Sequence, residues 1–197
     1  HEWEFKQDLV KSIILNKLKK TSNKIYARRC IFKEIPPKEA NLFLDTNHIQ
    51  GRCSYSKAYG LYHRDDLVSL MCFGKRKLTR GKCEYELIRF CNKMNTSVIG
   101  GASKILKNSN VKQFISYCDL RYSNGGLYER LGMKLIRTTV PNYYYTKHIK
   151  LYHRMTFQKH KIVKTPDDSR TEKEIMYENG YRRIYDCGNL VFLYSSD

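Results

Sequence analysis

Gly100 and Gly101 stand together in "SVIGGASKIL", between an apolar run and a short helical pattern. Backbone N–H groups at a helix start lack intrahelical partners, and the local peptide dipoles favour an anion there. A residue without Cβ lets a phosphate approach that backbone closely. The pattern is neither G-x-x-x-x-G-K-[ST] nor G-x-G-x-x-G, so it matches neither a P-loop nor the common dinucleotide fingerprint. Taken alone, the pair reads first as a tight turn. Four ionisable side chains nearby are candidates for proton or charge work. Asp119 falls at the end of a strand pattern, where open α/β sheets place their ligands, although it can equally cap a turn with Arg121. Glu86 and Arg89 lie on the strand before the glycines. A period of two puts them on opposite faces, so only one is expected to face a given cleft. His48, in "DTNHIQG", has an ordinary pKa that allows a base role, although a loop histidine is more often structural or solvent-exposed.

These residues need elements to hold them. Phe5, Leu9 and Ile13 recur at helical spacing over 4–18, which predicts an amphipathic helix ending in the basic linker "KKTSNK". "KIYARRCIFKEI" (24–35) is rich in strand formers and predicts one strand, stopped by Pro36-Pro37. Pro37 suits the first turn of a helix over "KEANLFLDT". "AYGLYH" and "LVSLMCFG" predict a hairpin about the "RDD" turn. From 84 to 138 the patterns run strand, helix, strand, helix, strand: "EYELIRFC", the glycine segment with its helix, "KQFISYCDL", "NGGLYERLG" closed by Gly132, and "MKLIRT". In the tail, Thr171 and Glu174 have capping-box spacing. "YRRIYDCGNLVFLY" predicts a second hairpin about 186–189. A basic loop, "KHKIVKTPDDSR", joins core to tail.

Composition bounds the partners. The 197 residues suit one domain with a small appendage, long enough to bury a core. Lys and Arg number 37 against 19 Asp and Glu, a formal charge of +18. Such an excess favours a polyanion, most commonly nucleic acid. Tyrosine occurs 16 times, and aromatics interleaved with cations suit base stacking beside phosphate contact. The strongest example runs from Arg130 to Pro166, where nine Lys or Arg stand without one Asp or Glu. Within it, Lys147, Lys150, Arg154, Lys159 and Lys161, with Tyr143, Tyr144 and Tyr145, form a candidate nucleic-acid surface. Arg28 and Arg29, in the N-terminal basic cluster, extend it. Seven cysteines, an odd count without a Cys-x-x-Cys pair, read as reduced thiols of a cytosolic-type compartment and not as a zinc site or disulfide frame. No apolar run is long enough to cross a membrane. The opening "HEWEFKQDLVKSIILNKL" starts in mid-pattern, as the tail of an upstream unit would.

"ISYCDLRYSNGGLYERLGMKLI" (115–136) resembles the signature of the GNAT N-acyltransferase superfamily, in which a strand leads into a helix ending in an "LYxxxGF"-like run. Here that run is Leu127-Tyr128-Glu129-Arg130-Leu131-Gly132-Met133. The family's Gln/Arg-x-x-Gly-x-Gly/Ala motif falls one strand–helix unit earlier, on Ser97-Val98-Ile99-Gly100-Gly101-Ala102, with Ser97 replacing the leading Gln/Arg. The resemblance covers 24–146. It implies a mixed α/β sheet, splayed at its centre and flanked by helices. It also implies an acyl-CoA donor such as acetyl-CoA, whose pyrophosphate would lie on the amides of Ile99, Gly100, Gly101, Ala102 and Ser103, beside Ser97 and Lys104. Tyr128 would be the general acid for the departing thiolate, and the acceptor would enter near His48.

A second resemblance, carried by "IYARRCIFKEI", "FLDTNHIQG", "YELIRFCNKMNTSVIGGASKILK" and "GYRRIYDCGN", is to the C-terminal half of phage homing-endonuclease-type proteins. There a Vsr-like (EDxHD) nuclease domain precedes this half, and the chain's first helix resembles its last. The phage Mom protein, which modifies adenine in DNA, is similar in kind. The expected organisation is a helix and linker over 1–23, a GNAT-like core over 24–146, and a basic connector with a helix–hairpin over 147–197. Two functions follow: an N-acyltransferase acting on an amine of DNA or of a DNA-bound target, or a catalytically silent DNA-targeting module of a nuclease.

Overall fold

The computed structural model describes residues 1–75, 83–163 and 168–196. Two short helices open the chain, α1 (Glu2–Phe5) and α2 (Gln7–Lys17), divided at Lys6 where φ is −141°. The predicted strand over 24–35 is two strands. β1 (Asn23–Tyr26) and β2 (Ile31–Glu34) are separated by a 3-10 turn over Ala27–Arg29, and they join different sheets. The propensity was correct at both ends, but a strand pattern does not register a change of partner.

Helix α3 (Pro37–Asn47) has proline in its first turn, as expected. It buries Ala40, Phe43 and Leu44. β3 (Lys57–His63) and β4 (Asp66–Lys75) pair antiparallel. Arg64 and Asp65 take φ of 51° and 46° between them, the left-handed pair that a two-residue hairpin turn demands. From Leu67 to Gly74 every residue of β4 is buried, because a hydrophobic cluster lies on each face of the sheet.

Then come β5 (Tyr85–Asn92), β6 (Thr96–Ile99), α4 (Gly101–Asn108), β7 (Gln113–Asp119), α5 (Gly126–Arg130) and β8 (Lys134–Thr138). β9 (Tyr143–Lys147), β10 (Lys150–His153), α6 (Lys159–Ile162), α7 (Glu172–Glu178), β11 (Arg182–Tyr185) and β12 (Asn189–Ser195) complete the chain. The basic loop over 159–170 is described except for 164–167. The capping box of Thr171 and Glu174 starts α7 as expected.

The main sheet has seven strands in the order β2-β3-β4-β5-β7-β12-β8. Neighbours run antiparallel except β5 and β7, which are parallel. β1 and β6 form a small parallel pair, and β10-β9-β11 a separate three-stranded sheet. This is a mixed α/β architecture with a mostly antiparallel, splayed central sheet flanked by helices.

The tail departs from its expected pairing. β11 pairs with β9, whereas β12 inserts between β7 and β8, so the two do not form a hairpin with one another. Val191 and Phe192 of β12 are 1% exposed. The last strand is thus part of the main core. A sequence pattern gives strand type but not the partner, which is chosen by burial across the whole fold.

A cleft through the sheet as the candidate active site

The site begins where a strand pair stops. β5 and β7 match at Tyr85↔Phe114, Glu86↔Ile115 and Leu87↔Ser116, and their pairing ends there. Beyond Leu87 the strands diverge, leaving a cavity of about 460 Å3. It is lined from one wall by residues 86–90 and from the other by residues 116–119. Because the gap lies within the sheet, the cavity reaches both faces.

A bulge decides which side chains enter it. Cys72 of β4 pairs with Arg89 and the next residue, Phe73, pairs with Leu87, so Ile88 is one residue too many on β5. Ile88 is accommodated above Gly74, where a Cβ would collide with its side chain. The extra residue inverts the alternation. Tyr85 and Leu87 pack in the larger core cluster, and Phe90 rejoins them on that face. Glu86 and Arg89 therefore share one side, and both line the cavity. The expectation that only one of them would face the cleft is corrected by this bulge.

On the face carrying α4 and α5, the glycine pair forms the helix start. Gly100 has φ of +76°, a left-handed conformation, and is the N-cap without any side-chain cap. The first bond closing the helix runs from Lys104 N–H to Gly100 O. The amides of Gly101, Ala102 and Ser103 thus lie in the unpaired first turn. A Cβ on Gly101 would come within 3.0 Å of Val98 Cγ1. Gly100, Ser103 and Ile99 are exposed and Ser97 is half-buried, whereas Gly101 and Ala102 are buried. These features fit a pyrophosphate group resting on backbone amides. Lys104 is differently employed: its Nζ donates to the carbonyls of Ala27 (3.0 Å) and Cys30 (2.6 Å), holding the 3-10 turn against α4.

Tyr128 reaches the same face from α5. Its ring stacks on Phe192 with centroids 4.9 Å apart and planes 10° apart. Gly125, at φ +93°, precedes α5 directly over that ring, where a Cβ would come within 2.8 Å of Phe192. Burial raises the Tyr128 pKa, opposed by a hydrogen bond with Ser116. The phenol therefore stays protonated at neutral pH and can donate a proton.

On the opposite face lie His48, Glu86, Arg89 and Asp119. His48 lines the cavity, and its Nδ1 accepts the Gln50 N–H at 3.1 Å. Burial first, then the charges of Arg89 and Lys6, lower its pKa to about 3. It is neutral and a weak base, so the base role expected from its ordinary pKa falls away. Arg89 donates from Nε to Gly51 O (3.3 Å) and from Nη1 to Ile88 O (2.9 Å). Asp119 takes its turn-capping alternative, accepting from the Arg121 amide (2.9 Å) and pairing with its guanidinium (2.8 Å).

The residues singled out for nucleic acid separate into two groups. Tyr145 is 1% exposed, wedged against Phe157 and Tyr181, with its hydroxyl donating to Glu172 at 2.8 Å. It is the core of the small sheet and cannot stack on a base. Tyr143 also donates to Glu172 (2.9 Å) and lies under Arg183, while Tyr144 lines the cleft. Lys147 and Lys161 donate to the carbonyls of Asn179 (3.0 Å) and Met155 (2.8 Å). Lys150, Arg154, Lys159, Arg28 and Arg29 are exposed. Arg154 sits over the Tyr143 ring and Arg28 over Tyr26.

Ile13, Tyr122, Asn142 and Asn189 also line the cleft and carry no motif that marks them in the sequence. All seven cysteines are free thiols, and no group of potential metal ligands occurs among the described residues. Among those residues, no helix is long and apolar enough to cross a membrane.

No protein-family profile matches this sequence, and no curated protein does. Solved structures are similar to it at low identity. Arabidopsis thaliana Naa50, in complex with the bisubstrate analogue CoA-Ac-MVNAL, aligns with 85% of this chain and 99% of its own at 10% identity, with a TM-score of 0.47. A GNAT family acetyltransferase from Elizabethkingia anophelis with acetyl-CoA bound aligns over 85% and 99% at 12% identity, TM-score 0.46. A Bacillus subtilis acetyltransferase in complex with CoA aligns over 86% and 99% at 14% identity, TM-score 0.43. At these scores the likeness carries no weight for activity, which is argued from the cleft itself.

Proposed function

We propose that this chain is a GNAT-type N-acyltransferase that uses an acyl-CoA thioester such as acetyl-CoA and acylates an amine on DNA or on a DNA-bound target. The observation that carries the reading is the cavity through the splayed sheet. Tyr128, from the face on which the glycine turn starts α4, lines it together with Glu86 and Arg89 from the other; residues 97–104 are not part of its lining. A long thioester can enter from one face and an amine from the other.

The amides of Gly101, Ala102 and Ser103 would hold the pyrophosphate, with Gly100 giving the close approach. The thioester supplies the activated acyl group. Past Leu87, β5 has no β7 pairing, so amides on that edge are available to a carbonyl oxygen gaining negative charge. Glu86, on the acceptor side of the cavity, would take a proton from the attacking amine. Tyr128 would deliver a proton to the leaving sulfur. DNA as the acceptor context is supported by the charge of +18 and by exposed Lys150, Arg154 and Lys159.

Acetyl-CoA is expected to raise the melting temperature of the wild type by ligand linkage. Ser103→Glu, which puts a carboxylate on the exposed first turn of α4, is expected to abolish that rise. Absence of any shift at millimolar CoA sinks the acyltransferase reading and leaves a DNA-binding module.

A further inference from the structure

The first 18 residues are not an appendage to the cleft, because they contact the segments that follow both of its walls and the 48–49 loop. At one end, Glu2 Oε1 accepts the Tyr122 hydroxyl at 2.7 Å and lies 3.6 Å from the Arg121 guanidinium. Tyr122 follows β7 and lines the cavity. Further along, Lys6 Nζ donates to the carbonyls of His48 (3.4 Å) and Ile49 (2.9 Å). Ser12 Oγ accepts the Asn95 N–H at 2.8 Å, just past β5. The Lys17 ammonium returns to the Tyr122 carbonyl. Between these pins, Ile13 projects onto the cavity.

The helices are held mainly by those polar pins. Across α1 and α2 only Leu9 and Ser12 are buried. Elements with few buried apolar contacts open at low free energy. The linker that follows contains Lys19 at φ 58°, a left-handed joint. Lys6 and Arg89 both hold the 48–51 loop, through carbonyls of His48, Ile49 and Gly51. The position of His48 therefore depends on the N-terminal helix.

We infer that α1 and α2 form the acceptor-side wall of the cleft. In this wall Ile13 limits the size of the amine admitted, and Lys6 is a positioning residue for the His48 loop. The reference to an amine rests on the acyltransferase reading; the wall itself does not.

Two measurements on the full chain test this. Hydrogen exchange is followed by peptide in wild type and in Glu2→Gln/Lys6→Met. Loosening the wall is expected to speed exchange about tenfold over 1–18, 48–51 and 119–123 together, leaving α4 unchanged. Faster exchange confined to 1–18, or spread equally into α4, overturns the inference. Acetyl transfer is then compared with methylamine and benzylamine as acceptors. Ile13→Ala is expected to raise the kcat/KM for benzylamine relative to methylamine, and Ile13→Trp to lower it. An unchanged ratio overturns the role of Ile13. Loss of the CoA melting shift would instead sink the acyltransferase reading, while the exchange result still decides the wall.

Discussion

Tyr128 can be isolated from its neighbours experimentally, because its ring and its hydroxyl do separate work. The ring packs on Phe192, and the hydroxyl meets Ser116 inside the cleft. Tyr128→Phe keeps the stack and removes the proton. It is expected to cut kcat for acetyl transfer about 10²-fold or more, with little change in the CoA melting shift. Steady-state kinetics beside thermal shift would check both. His48 yields a stability prediction. Its pKa falls from 6.5 to about 3 in the fold. Between those values the unfolded chain binds more protons, so stability is lost as pH falls through that window. Urea midpoints from about pH 7 to about pH 4 are expected to fall more steeply for wild type than for His48→Gln.

At the scale of elements, one bulge and one strand insertion build the site. The extra residue Ile88 brings Glu86 and Arg89 to the same side. Gly74→Val would put a side chain where Ile88 lies and displace the bulge that brings them together. The expected result is a protein that still binds CoA at the glycine turn but transfers poorly. β12 supports the donor side, because Phe192 is buried under Tyr128 and Gly125. Phe192→Ala is expected to cost about 3–5 kcal/mol of stability in urea unfolding. It should also lower kcat, since the phenol loses the surface that orients it. If the tail were an independent hairpin, the same change would leave the cleft untouched.

For the whole molecule, charge makes the relevant prediction. The formal +18 includes exposed Lys150, Arg154, Lys159 and Lys161, whereas Lys147 is half-buried and donates to the Asn179 carbonyl. Binding of a duplex oligonucleotide is expected to weaken steeply with salt. Charge reversal at Lys150, Arg154 and Lys159 together should weaken it further and flatten the salt slope. Reversal at Lys147 should act partly through lost contacts to Asn179. Fluorescence anisotropy over a salt series would decide, and a salt-independent or absent complex would refute the nucleic-acid reading.

Local signals are what the chain's own order of residues determined. Pro37 opening α3, the Arg64-Asp65 turn, the Thr171–Glu174 box and the strand–helix alternation over 84–138 are all set within a few residues. The glycine turn at the start of α4 and the helix that carries Tyr128 were legible too, because a helix start and a helix signature are short-range patterns. Only the tertiary structure decided that a bulge puts Glu86 beside Arg89, that β12 enters the main sheet, and that Tyr145 is core and not surface. It alone placed Ile13 on the cleft and Lys6 against the His48 loop, across long sequence separations. The reason is physical: propensity and capping act locally, whereas strand partner, register and burial are chosen by contacts between residues far apart in the chain.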